Sequence, residues 1–147
     1  EATEARLPVL IEDYGLRQDS GGAGRHRGGL GMIRRVQVLG DAYVNTQIER
    51  TQCKPWGLNG GHEGLANEVF LERADGSIEP RNNGKMSSVK LNAGDRYVVL
   101  GGGGGGYGDP RQRDPELVRD DVRNGYVSRQ SARDIYGVEA PDADVAE

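Results

Sequence analysis

The sequence predicts a mainly β protein with some α: an antiparallel sheet or partial barrel of short strands, Gly-rich extended segments, and a C-terminal two-helix hairpin. Three observations predict it. Short apolar stretches alternate with polar residues and are separated by turn pairs such as Gly40-Asp41 and Asp75-Gly76, the pattern of antiparallel strands. Three stretches, residues 21–31, 55–64 and 101–106, hold so much glycine that they can bury almost no side chain. After Asp114 the apolar residues recur at helical spacing instead.

Residues 7–14 read as the first strand, with Val9 and Ile11 on one face. A loop follows to residue 31, carrying Gly21, Gly22, Gly24, Gly28, Gly29 and Gly31. Apolar residues return over 32–39; Gly40-Asp41 fits a hairpin turn into a strand over 43–48. A second Gly-rich loop includes Trp56, Gly57, Gly60, Gly61 and Gly64. Strands over 68–72, 77–79, 86–91 and 96–100 follow, punctuated by Asp75-Gly76, Asn83-Gly84 and Gly94-Asp95.

The chain then enters Gly101, Gly102, Gly103, Gly104, Gly105 and Gly106 without interruption. Residues without a Cβ lose the most backbone entropy on ordering. Such a run stays ordered only if a partner polypeptide, a second Gly-rich segment or a ligand packs on it. Gly runs can form extended, threefold polyproline-II-like helices that pack closely through Cα–H···O contacts, and three such stretches suit a bundle of that kind.

Asp114 is an N-cap, Pro115 sits at the first helical position, and Glu116 favours the positive helix end. Leu117, Val118 and Val122 supply an apolar face, and Asn124-Gly125 closes the helix. Ser128 caps a second helix with Ala132, Ile135 and Tyr136 on one face, and Gly137 stops it. The expected organisation is a β domain over 1–100, a poly-Gly segment over 101–113, a helical hairpin over 114–138 and an acidic tail over 139–147, frayed at its end. These form one structural unit, completed by a partner.

The chain has 147 residues and a formal charge of -4, yet Leu, Ile, Val and Phe make up only about a fifth of it. That supply is thin for an independent core, so stability borrowed from partners is expected. No basic stripe carries aromatic residues, which argues against nucleic-acid binding. Lys54, Lys85 and Lys90 are the only lysines; arginine dominates, as it does in interfaces, although a GC-rich gene has the same effect. Cys53 is the only cysteine, which excludes an internal disulfide and a Cys-based zinc site. No stretch reads as a membrane span or signal peptide, so a cytoplasmic location is expected. The abrupt start at Glu1 suggests that something structural precedes it.

Few residues offer chemistry. The poly-Gly run follows a strand, but a phosphate loop needs a helix N-terminus directly after its glycines, and here the helix waits until Pro115. Asp19, Ser20, Arg25, His26 and Arg27 cluster in the first Gly loop. Ser with His invites a nucleophile reading, without an evident third group to orient it. Arg25 and Arg27 could clamp an anion or hold loop carbonyls and the acids of a neighbouring chain. Cys53, His62 and Glu63 make a poor metal site, and none is expected. Trp56, between Pro55 and Gly57, reads as an interface anchor.

Taken together, these motifs resemble the hydantoinase B family. Residues 19–31 (DSGGAGRHRGGLG) resemble its "DSGGAG-x-RGGLG" loop, and residues 54–61 (KPWGLNGG) are similar to its "PPWGL-x-GG" segment. Residues 103–110 (GGGGYGDP), Arg113-Asp114-Pro115, Gly125-Tyr126-Val127-Ser128 and Tyr136-Gly137-Val138 resemble its C-terminal region. His62 stands where Lys or Arg is expected, and the glycine run is longer than usual.

The resemblance implies a C-terminal region or a separate small subunit of an ATP-dependent complex. As a separate chain, it is similar to the small subunit of an acetophenone carboxylase. That branch phosphorylates a ketone enol and bicarbonate before a carbon–carbon bond forms. The N-methylhydantoinase and 5-oxoprolinase branch hydrolyses cyclic amides, and a non-enzymatic binding module is the third reading. In the family reading no catalytic residue lies in this chain. A hydantoinase B-like large subunit and hydantoinase A-like kinase subunits are the partners, and ATP and a divalent metal belong to partner subunits. The expected packing residues are Gly21, Gly22, Gly28, Gly29, Gly60, Gly61, the run from Gly101 to Gly106, and Trp56; Arg25 and Arg27 are the candidate anion or interface contacts.

Overall fold

The computed structural model describes residues 2–139; the acidic tail expected beyond residue 139 lies outside the described residues. In chain order the strands are β1 (Val9–Leu16), β2 (Met32–Val38), β3 (Ala42–Gln47), β4 (Glu68–Glu72), β5 (Ile78–Pro80), β6 (Lys85–Leu91) and β7 (Arg96–Leu100). A 3-10 turn (Pro110–Gln112), helix α1 (Pro115–Arg123) and helix α2 (Arg129–Ser131), which continues as a π turn (Ala132–Tyr136), complete the fold. The architecture is mainly β with some α, and no barrel closes among the described residues.

The chain forms two compact units woven from alternating stretches. The first takes the residues up to Gly15, Met32–Lys54 and Ala66–Gly101; the second takes Leu16–Gly31, Pro55–Leu65 and the residues from Gly102 onward.

In the first unit, a five-stranded sheet has the order β1-β2-β7-β4-β5, and β3 and β6 form a two-stranded ribbon. The β2–β7, β4–β7, β4–β5 and β3–β6 pairs are antiparallel. Register sorts the side chains by face. Arg34 lies opposite Val99, and Val36 and Leu71 lie opposite Tyr97, so these residues share one face with Val38 and Val69. The ribbon covers that face. Val38, Val69, Leu71, Met86 and Leu91 are buried there, with Val9, Val44, Val89 and Val99 packed around them. Each such side chain contributes about 1.5–3 kcal/mol when fully buried.

The opposite face sets ion pairs beside a buried Val98. Arg35 meets Glu72 at 3.1 Å, and Arg96 grips Glu12 through two bonds of 2.7 and 2.8 Å. At one end, buried Asp95 accepts from the N–H of Ala74 and of Asn92, both at 2.9 Å, and from Arg73 Nη1 at 2.8 Å. Arg73 in turn holds Glu79 through Nε at 2.7 Å and Nη2 at 3.1 Å.

The turns expected at Gly76, Gly84 and Gly94 all form, but Gly40-Asp41 is not a hairpin. β2 already has β1 on one side and β7 on the other, so no edge is left for β3. The two residues instead lead the chain out of the five-stranded sheet into the ribbon. A sequence shows a turn; it does not show which edges are taken.

Candidate functional site

The second unit is built on its glycines. Residues 102–108 run between the first Gly loop and the second, bonded to both. Gly22 N–H donates to Gly104 O at 2.8 Å, and Gly104 N–H donates to Gly29 O at 2.8 Å. On the other side, Leu58 N–H donates to Gly106 O and Gly106 N–H to His62 O, both at 2.9 Å. The two loops also bond directly, through His62 N–H to Ala23 O at 2.7 Å and Leu65 N–H to Ser20 O at 2.9 Å. Tyr107 and His26 exchange a pair of backbone bonds at 2.9 Å, their rings tilted with centroids 6.2 Å apart.

The strands of this lattice lie too close for side chains. A Cβ on Gly103 would fall on the carbonyl of Ser20, one on Gly105 on that of Trp56, and one on Gly106 on that of Ala23, all inside 3.0 Å. The same holds for Gly28 against Gly104 O, Gly61 against Gly106 O, Gly22 against His62 O and Gly21 against Gly28 O. Every obstacle is backbone. Gly57, Gly64 and Gly24 meet the same limit, although sequence reasoning did not single them out; their position inside the same two loops is the signal that could have.

Not every expected packing glycine meets this limit: at Gly104 the nearest atom to a Cβ is Gly29 N, 3.3 Å away. A Cβ on Gly29 would meet nothing within 4 Å. Gly60 has φ +88°, so its backbone conformation, rather than space, requires glycine. Gly101 lies in the first unit, donating to Met32 O at 2.6 Å, while Gly102 is half-buried at the start of the second unit's run.

The helical part is tied to this lattice by charge and by a small core. Asp121 of α1 is buried. It accepts from Arg27 Nε at 3.0 Å and Arg27 Nη2 at 3.1 Å, a bidentate fork. Arg113 Nη2 adds a third bond at 2.9 Å. Arg27 Nη1 also holds Gly28 O at 2.7 Å, and its guanidinium lies 5.7 Å from the Tyr126 ring centroid. Beneath this clasp Val118, Val127, Ala132, Tyr136 and Val138 bury against Ala23. Burial pushes the Tyr136 hydroxyl above its ordinary range. The caps form as their residue types dictate: Asp114 accepts from Glu116 N–H, Ser128 from Ser131 N–H, and Gly137 is left-handed.

These placements assign the polar cluster of the first loop to structure. Arg27 is bonded to Asp121 and to Gly28 O. Arg25 is exposed, and its carbonyl accepts from Arg113 Nη1 at 3.3 Å. Ser20 is fully buried, with its hydroxyl donating to Arg17 O at 2.5 Å and accepting from Gly31 N–H at 2.8 Å. Asp19 sits at φ 57° and accepts from Ser128 N–H at 2.9 Å. The N–H groups of Gly104, Gly106, Tyr107 and Gly108 all donate to carbonyls of the two Gly loops. Among the described residues no three of His, Cys, Asp and Glu gather as metal ligands, and no helix is long and apolar enough to cross a membrane. Trp56 turns its carbonyl to Gly105 and leaves its side chain 71% exposed.

Sequence reasoning missed Asp121 and Arg113. Asp121 falls between Val118 and Val122 on α1, so an acid on an apolar helix face was the available signal. It also missed Arg34 on the apolar face of β2, legible in the alternation Met32, Arg34, Val36, Val38.

The family model described as Hydantoinase B/oxoprolinase matches residues 1–110. An uncharacterized protein of Methanocaldococcus jannaschii is 39% identical over 94% of this chain and 24% of its own length. Caprolactamase subunit beta of Pseudomonas jessenii is 36% identical over 94% of this chain and 24% of its own length. The crystal structure of the ATP-dependent caprolactamase from that organism superposes with TM-score 0.76 at 34% identity, covering 97% of this chain and 26% of that one. A nucleotide-free acetone carboxylase shares the fold, with TM-score 0.75 and 22% identity over 91% of this chain and 22% of that one. The chain spans about a quarter of the length of these relatives. With the family model matching residues 1–110 and relatives above 30% identity over nearly all of its length, the chain belongs to the hydantoinase B/oxoprolinase family.

Proposed function

We propose that this chain is the lattice-bearing part of a hydantoinase B-like component in an ATP-dependent complex that activates a carbonyl compound. Its role is structural and assembling. The carrying observation is the lattice itself, in which the 102–108 run is bonded through its backbone to both Gly loops at a spacing that admits no side chain at Gly103, Gly105 or Gly106. In this reading catalytic groups, ATP and divalent metal belong to the rest of the complex, to a hydantoinase B-like large polypeptide and hydantoinase A-like kinase subunits. The exposed Trp56 is its contact to them. The Gly segments are threefold, polyproline-II-like strands, a geometry that needs no side chains between neighbours.

Two chemistries fit. If the chain is a separate small subunit, its likeness to that of an acetophenone carboxylase favours ketone carboxylation with bicarbonate. The 34% identity to a caprolactamase structure favours cyclic-amide hydrolysis. The test is co-purification of the chain with its hydantoinase B-like polypeptide and kinase-like partners, followed by ATP turnover. Stimulation by an aryl ketone plus bicarbonate supports the first branch, and stimulation by a lactam or hydantoin the second. A chain that stays a monomer in the presence of those partners, with a sharp unfolding transition of its own, refutes the assembly role.

A further inference from the structure

The first unit has an unfilled place. Between the ribbon and the five-stranded sheet lies a cavity of about 640 Å³, floored by Val38, Leu91, Tyr97 and Val99. Leu7, Met32 and Tyr43 stand at its sides, each about half exposed or more. The space is a groove open to solvent on one side rather than an enclosed void, with a largely apolar lining joined by Arg34, Asn45, Thr46 and Gln47. Protein interiors pack at crystal density, so an apolar groove of this size has room for a further layer.

Two further features show what the layer is. Among the described residues β3 pairs only with β6, so its other edge presents unpaired strand backbone beside the cavity. Such edges are templates for another strand. Arg34 lines the same cavity; its guanidinium lies 5.9 Å from the Tyr97 ring centroid, and its buried Nε has no hydrogen-bond partner. A guanidinium with one side in apolar surroundings calls for a carboxylate. The chain accounts for only about a quarter of the length of its relatives, so a large amount of family polypeptide exists to fill the place.

We infer that the free edge of β3 and the cavity behind it receive an extended segment from the remainder of the hydantoinase B-like polypeptide, with alternate apolar side chains inward and an Asp or Glu on Arg34. This rests on the assembly role proposed above and names the surface that serves it. A free carboxylate ligand would account for Arg34 and the cavity but not for the bare strand edge.

The experiment is hydrogen exchange by mass spectrometry on the purified complex of this chain with its hydantoinase B-like polypeptide, compared with the chain alone. Amides of residues 42–48 slow at least tenfold in the complex. Val44→Asp and Arg34→Ala each weaken association at least tenfold, while Gln37→Glu, on the opposite sheet face, leaves it unchanged; circular dichroism of each variant separates misfolding from lost docking. If the complex forms but residues 42–48 exchange as in the free chain, the inference is overturned and the assembly role stands. If no complex forms, the assembly role fails and takes this inference with it. Protection of 42–48 in the chain alone at concentrations where it dimerises assigns the edge to a second copy and overturns the inference. A thermal shift of the complex by hexanoate or benzoate that Arg34→Ala abolishes, without protection of β3, overturns it in favour of a small carboxylate.

Discussion

Replacing Gly105 by alanine tests the lattice at its tightest point. The new Cβ would fall within 3.0 Å of the carbonyl oxygen and carbon of Trp56, with Gly57 N only 3.1 Å away. Gly105 is not among the positive-φ residues, so alanine can adopt its backbone and the only obstacle is space. The obstructing atoms are main chain, pinned by Leu58 N–H on Gly106 O and Gly64 N–H on Pro55 O, both at 2.9 Å. Overpacking a core costs about 1–3 kcal/mol when side chains can yield; here none can, so about 3 kcal/mol or more is expected. Gly29→Ala is the paired control, because its Cβ meets nothing within 4 Å and alanine trims the unfolded ensemble, a gain of about 0.4–1 kcal/mol. Gly104→Ala, with Gly29 N at 3.3 Å, falls between them, within about 1 kcal/mol of the parent. Urea unfolding at constant slope reads all three. Equal stability of Gly105→Ala and Gly29→Ala would refute a lattice closed by backbone contact.

Three other outcomes follow from the same geometry. Asp121→Ala strands Arg27 and Arg113 in a buried site and should cost about 3–5 kcal/mol, the usual loss when one partner of a buried pair is removed; Arg27→Lys, which cannot form the fork, recovers only part of it in thermal melts. Acid should destabilise the first unit. Hydrogen bonds from Arg73 and from Arg96 hold Glu79 and Glu12 below their ordinary 4.5, and for Asp95 burial is outweighed by the N–H of Asn92, by Arg73 and by the N–H of Ala74, which hold it below 3.8. Carboxylates lowered in the fold stabilise it above their ordinary values, and that contribution is lost as pH falls below about 4.5. The unfolding midpoint should therefore be level near neutrality and drop below that pH, and drop less in Glu79→Gln. Trp56→Ala should change stability by no more than about 0.5 kcal/mol, as exposed sites do, yet weaken co-purification with the large partner; unchanged association would remove Trp56 from the interface.

Much of this fold was legible because its signals are local. Asp114-Pro115, Ser128, Gly125 and Gly137 mark helix ends by capping chemistry that depends on a few neighbouring atoms, and all four act as expected. The strands, too, follow alternation. Pairing is not local, which is why Gly40-Asp41 looked like a hairpin when β2 had no edge to spare. The site divides the same way. The individual duties of the glycines could not be read: Gly29, Gly60 and Gly105 look alike in sequence, and only the space around each and its backbone conformation distinguish them. Arg27 was visible as a candidate clamp, whereas its anion, Asp121, lies 94 positions away and no spacing rule links them.

Because the lattice is main chain against main chain, it has no second-site suppressors of the ordinary kind. A bulky substitution among aliphatic side chains can be rescued by shrinking whatever it strikes. An alanine at Gly103, Gly105 or Gly106 strikes a peptide carbonyl, an atom every amino acid carries, so no mutation of Ser20, Trp56 or Ala23 can make room. Revertants selected for restored folding should regain glycine itself, or gain stability elsewhere in the molecule without relieving the collision.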